Sequence, residues 1–291
     1  MEKFIKFITR HDEAITIING WLIVVAFTLL TSCNLIDDDL SDCAASQTEK
    51  VTLTLNVAPA EWSNNTVTHA SYSAFSEGSS GNKTFSISFT SGDAIGLFAV
   101  DKTGKVVVAN QKYTYSGSAW TTETPIEYVT GLGSYTFFAY YPWVSSLSGA
   151  PALNSTPNIA SADTFFGSVV TAWTPAADQS DITKFTSQDL MIAKGTNSTP
   201  YFHEVNVAFT MVHQMGLLVT KSELSYYDID NPSDTWTETQ TFSPNIPCTI
   251  GSNLYFFAKP GVATTLGYKT ITVQANQVEQ LYFTNGEPSN R

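Results

Sequence analysis

The residue whose chemistry the sequence states most plainly is a cysteine at the end of an apolar run. Cys33 closes Leu30-Thr31-Ser32-Cys33, which looks like a lipobox. Small residues at 31 and 32 let the chain enter a peptidase site, and the Cys33 thiol is the nucleophile that takes a lipid. Upstream, Lys3, Lys6 and Arg10 make a basic opening, and an uncharged apolar run extends from Trp21 to Leu30. That run has the length of a secretory core and falls short of the roughly twenty residues that span a bilayer. Residues 1–32 are therefore expected to be a signal peptide. Acidic Asp12 and Glu13 are unusual in such a segment.

Other reactive side chains lack a setting. Cys43 and Cys248 are far apart and form no CxxC pair, which argues against zinc or thioredoxin-like chemistry. An exported chain permits them to pair, but Cys43 sits in a polar stretch, so two unpaired thiols are the favoured reading. His203 and His213, on one strand, would stand about 33 Å apart and make no local metal pair. Asp37-Asp38-Asp39 and the turn Asp228-Ile-Asp230-Asn231-Pro-Ser-Asp234 offer oxygen ligands, yet both read as solvated polar segments. No serine sits in Gly-x-Ser-x-Gly, no glycine-rich phosphate loop occurs, and no local motif singles out a carboxylate pair. The expectation is therefore no catalytic residue, no metal and no cofactor. A stacking platform of Trp120, Tyr140, Tyr141, Trp143, Trp173 and Trp236 would suit a surface glycan-binding protein; the plainer alternative is that these rings pack the core.

Charge narrows the partners. The formal net charge is −12, from 26 acidic and 14 basic side chains. The leader is neutral in balance (Glu2, Asp12 and Glu13 against Lys3, Lys6 and Arg10), so the remaining chain keeps that charge. An acidic body without a basic cluster excludes a phosphate-driven nucleic-acid partner. Charged residues make up only 14% of the chain, which, with abundant Thr, Ser and aromatics, points to an extracellular β protein.

The elements that would position these residues read as strands. Residues 33–49 are polar and acidic, a lipidated flexible tether. Val51, Leu53, Leu55 and Val57 then alternate with Thr52, Thr54 and Asn56, a half-buried strand ending at Pro59. Phe85, Ile87 and Phe89 alternate with serines. Ile95–Val100, Val106–Val108, Gln111–Tyr115, Ile126–Val129 and Ser134–Tyr141 read as further strands, with a hairpin turn over Asp101–Gly104. Residues 145–184 read as loop, and no segment carries a helical period beyond about two turns. Asp189–Ala193 is a short apolar segment, and 195–200 is the best linker. Strands are expected again at Val205–Met211, Leu217–Thr220, Tyr255–Ala258, Ile271–Val273 and Gln280–Phe283. The class is all-β, as two consecutive β-sandwich domains over 50–195 and 200–291.

Several segments, taken together, carry a resemblance. They are Gly92-Asp93-Ala94-Ile95-Gly96-Leu97-Phe98-Ala99, Asn110-Gln-Lys-Tyr113-Thr-Tyr115, Ser118-Ala-Trp120, Tyr135-Thr-Phe137-Phe138-Ala139-Tyr140-Tyr141-Pro142 and Asp189-Leu190-Met191-Ile192-Ala193. This succession resembles the fimbrillin family, pilus subunits of Bacteroides-type bacteria, over roughly residues 50–215. The segment Asp37–Cys43 resembles the start of that family's anchor subunits. The resemblance implies transthyretin-like sandwiches, a lipoprotein of the outer membrane and cell surface, and assembly into a fimbrium by donor-strand exchange with other pilin subunits. It implies in addition possible ligands on host or bacterial surfaces. A protease in such pili removes the tether and first strand, and a strand from the next subunit fills the groove. Here the exchanged strand would be Val51, Leu53, Leu55 and Val57. The family's usual arginine cut has no counterpart, since Arg291 is the only arginine after Cys33; Lys83 or Lys50 are the candidate cuts, and an uncleaved lipid-held subunit fits equally well.

Overall fold

Alternation with period two becomes ladder pairing along most of the chain. The computed structural model describes residues 52–62, 76–77, 83–84, 88–126, 135–197, 204–221, 223–227, 231, 233–239, 242–251, 253–267 and 269–280. The leader, the tether, Cys33, Cys43, Lys50 and Val51 lie outside them, as do 85–87, 127–134, 198–203 and 281–291.

In chain order the strands begin with β1 (Thr52–Pro59), β2 (Ser76–Glu77), β3 (Lys83–Thr84), β4 (Ala94–Val100), β5 (Val106–Tyr115), β6 (Trp120–Thr121) and β7 (Thr136–Tyr141). Two helices follow, α1 (Ala162–Ala172) and α2 (Ile182–Thr186). Then come β8 (Met191–Lys194), β9 (Thr196–Asn197), β10 (Glu204–His213), β11 (Gly216–Lys221), β12 (Glu223–Tyr227) and β13 (Thr235–Thr239). The series closes with β14 (Cys248–Ile250), β15 (Asn253–Ala258), β16 (Ala263–Leu266), β17 (Lys269–Thr272) and β18 (Val278–Gln280).

One large sheet runs in the order β1-β10-β8-β7-β4-β5-β6, with β9 beside β10; a second runs β14-β15-β11-β18. Both faces of the large sheet are covered at its centre, which is why β4 reads as a continuous apolar run. Phe98 and Val100 point into one cluster with Phe138, Tyr140 and Ile192. Ile95, Leu97 and Ala99 point the other way, joining Phe137, Ala139, Tyr141, Val205, Val207 and Phe209. The first cluster continues through the helices into the second sheet, taking in Phe165, Phe166, Leu217, Val219, Tyr255 and Phe257. The all-β class holds.

Two expectations are corrected or shifted. Helix α1 has 11 residues, longer than any helix read from the sequence. Ser161 caps it: its side chain accepts from Thr164 N, and the Thr164 hydroxyl accepts from Ser161 N in return. Phe165, Phe166 and Val169 are its buried face, and Phe165 stacks on Phe138 at 3.9 Å. Gly167 and the β-branched Val169, Val170 and Thr171 hide this helix from propensity. The change of sheet falls at Gln214–Met215, beyond the expected boundary at 195–200. Thr196 and Asn197 pair with Ala208 and Val207, and β10 belongs to the first sheet.

Candidate functional site

Strand β1 lies at the rim of the large sheet and has one ladder partner among the described residues. It runs parallel to β10, with Leu53 opposite Val205, Leu55 opposite Val207 and Val57 opposite Phe209. Leu55 is buried, Leu53 and Val57 half-buried, and Thr54 and Asn56 face solvent. The apolar side of β1 thus completes the cluster that holds Val205, Val207, Phe209 and Met211. Ala60 N donates to Met211 O at 2.6 Å, carrying the pairing just past the strand.

Two residues on, Trp62 turns inward. Its ring stacks on the His213 imidazole at 3.8 Å and 9°, and meets Phe257 at 6.2 Å. His213 Nδ1 donates to Asp189 Oδ1 at 2.8 Å, and both side chains are 0% exposed. Among the described residues, the buried Trp62 Nε1, His213 Nε2 and Asp189 Oδ2 have no hydrogen-bond partner. His213 is therefore a core histidine; the sequence led one to expect only that it makes no local metal pair with His203, which lies outside the described residues. Trp62 and Asp189 were not singled out as site residues. A tryptophan just beyond the proline that stops an alternating strand was the available signal.

The remaining candidates separate. Lys83 lies in β3, whose backbone pairs with β2 at Glu77. Of the Asp228–Asp234 segment, Asp234 N donates to Asn231 O at 2.8 Å in the turn joining β12 and β13; residues 228–230 are outside the description. Among the described residues no group of three His, Cys, Asp or Glu is placed to hold a metal, and no helix is long and apolar enough to cross a membrane. Cys248 is buried and free, its thiol pushed up by burial and by the Asp181 carboxylate.

The aromatic platform is corrected. Trp120, Tyr140 and Tyr141 are buried, because they occupy core-facing strand positions. Trp143 and Trp173 are half-buried with their indole N–H groups donating to Asn110 O and Gln188 O. Trp143 lines a cleft of about 580 Å³ with Gln111, Lys112, Thr114, Thr122 and Glu123; there the Lys112 ammonium lies 4.7 Å from the ring centroid.

With this architecture in view, the class can be stated: the chain belongs to the fimbrillin-like family, whose model matches residues 68–243, more than half of its 291 residues. The match begins after β1 and Trp62. A protein of Bacteroides ovatus described as a candidate fimbrium tip subunit, Fim1C, is 34% identical over 145 residues, 49% of this chain and 26% of that protein. The chain thus spans about a quarter of that relative's length. The crystal structure of a fimbrial protein from Bacteroides ovatus is similar in fold, with a TM-score of 0.51 and 21% identity over 80% of this chain and 48% of that one.

Proposed function

We propose that this chain is a lipid-anchored subunit of a surface fimbria, held at the outer membrane through Cys33, and that β1 is the strand exchanged between subunits. The observation that carries this reading is the position of β1. Among the described residues it is hydrogen-bonded to β10 alone, and its Leu53, Leu55 and Val57 pack into the cluster that holds Val205, Val207 and Phe209. Removing it would unpair the outer edge of β10 from Glu204 to Met211 and uncover Val205, Val207 and Phe209. An edge with an apolar cleft beside it accepts another strand by main-chain hydrogen bonds and alternate side chains. A donor from a neighbouring subunit restores both.

Cleavage at Lys83 frees β1 together with Trp62; cleavage at Lys50 removes the tether and leaves β1 in place. The test is to cut the purified full chain at Lys83 and follow its size on mild-detergent gels. Ladders of oligomers are expected from the cut form, with the uncut form monomeric. A cut form that stays monomeric, folded and stable would sink the reading.

A further inference from the structure

We propose that His213, oriented by Asp189, is a receptor for an aromatic ring at the downstream end of the β1 groove, and that any strand replacing β1 must carry a ring at the place of Trp62. This rests on the exchange reading for its partner, though the receptor itself is read from the intact chain. The incoming segment is thereby specified. It is an extended peptide parallel to β10, apolar at the positions of Leu53, Leu55 and Val57, with an aromatic following at the position of Trp62.

Three features separate a receptor from ordinary packing. First, the contact is planar: the rings lie 9° from parallel at 3.8 Å, and the carboxylate of Asp189 at 2.8 Å fixes the imidazole plane from its far end. Second, among the described residues Trp62 Nε1 has no hydrogen-bond partner. What binds is the face of the ring, so a ring from another chain can serve as well. Third, among the described residues the buried His213 Nε2 and Asp189 Oδ2 have no hydrogen-bond partner. An apolar lining would avoid that desolvation cost; what the polar pair supplies instead is a fixed ring orientation. The receptor is also indexed to the groove: it sits just past the last β1–β10 pair, Pro59 with Met211. The ring therefore sets how far along β10 a strand of alternating apolar residues must slide, which the Leu/Val pattern alone leaves open by steps of two.

Two measurements test it. In the intact chain, Trp62→Ala should speed hydrogen exchange of the β1 amides, residues 53–58, about tenfold or more while amides at Leu97 and Phe138 keep their rates; Trp62→Phe should restore β1. Uniform acceleration across the sheet, or no rescue by Phe, would reduce Trp62 to core packing and overturn the proposal. In the full chain nicked within residues 63–75, a labelled synthetic peptide of residues 51–62 should displace the resident strand. The same peptide with alanine at position 62 should be taken up at least tenfold more slowly. Equal uptake of both peptides would overturn the ring requirement and leave strand exchange standing. Uptake of neither would overturn the exchange reading and the partner specification, while the exchange rates in the intact chain still decide the receptor.

Discussion

At the scale of single residues, the chain spends its polar side chains on replacing backbone partners. Gln179 is 0% exposed, and its amide acts as a short piece of strand. Its Oε1 accepts from Phe257 N and its Nε2 donates to Phe257 O, both at 2.8 Å, beyond the reach of three-residue β14. Gln179→Ala would strand both Phe257 groups in the core. A loss of about 2–4 kcal/mol is expected, read by denaturant unfolding. Tyrosines supply a second prediction. Burial pushes Tyr113 and Tyr140 up to about 12, and Tyr140 donates to Asn110 Oδ1 at 2.7 Å. Tyr141 is raised too, by burial and then by Asp93 and Asp189. Unfolded tyrosines ionise near about 10, so the folded state holds protons that the unfolded chain has released. This contribution is complete below that value and lost as pH rises through about 12. Phenolate absorbance should rise for exposed tyrosines first, with these rings ionising together with unfolding.

At the scale of elements, α1 and β1 were unequally legible. The strict alternation of β1 gave its buried face at once, because a strand has only two sides. Its neighbour was not legible, since alternation does not name a partner. Leu55→Lys should destabilise the β1–β10 pairing by about 3 kcal/mol or more by burying an unpaired charge, seen as faster exchange of β1 amides. Thr54→Lys, on the solvent side, should change little. Helix α1 escaped the reading because Gly167 and the β-branched Val169, Val170 and Thr171 lower its helix propensity, although Phe165, Phe166 and Val169 share one buried face. Ser161→Ala should remove the capping box and cost about 1 kcal/mol by thermal or chemical unfolding. Close approach is equally a matter of elements. At Gly96 an added Cβ would collide with Tyr140 Cε1 and meet Asn110 Oδ1 at 2.7 Å, so the glycine in β4 makes room for the β7 ring.

At the scale of the whole molecule, the proposed lipid site and the proposed exchange strand lie close together in the sequence. If Cys33 takes the lipid, Cys33→Ala should leave an unprocessed precursor and abolish membrane tethering, checked by fractionation and by the mass of the N-terminus. A diacylglyceryl group with an N-acyl chain supplies the multiple buried chains that stable anchoring needs. By itself the sequence determined the all-β class, the family, the apolar side of each long strand and the acidic, weakly charged surface. These follow from local properties: period, turn residues and composition. Tertiary structure decided the rest. It placed β10 in the first sheet rather than the second, because ladder hydrogen bonds depend on which edges meet. It decided between the two readings of the aromatic rings, burying Trp120, Tyr140 and Tyr141 because both faces of the central strands are covered. And it brought Trp62 onto the face of His213, whose edge Asp189 holds: β8 beside β10 brings in the acid and β1 beside β10 the tryptophan, pairings no local property of the sequence states.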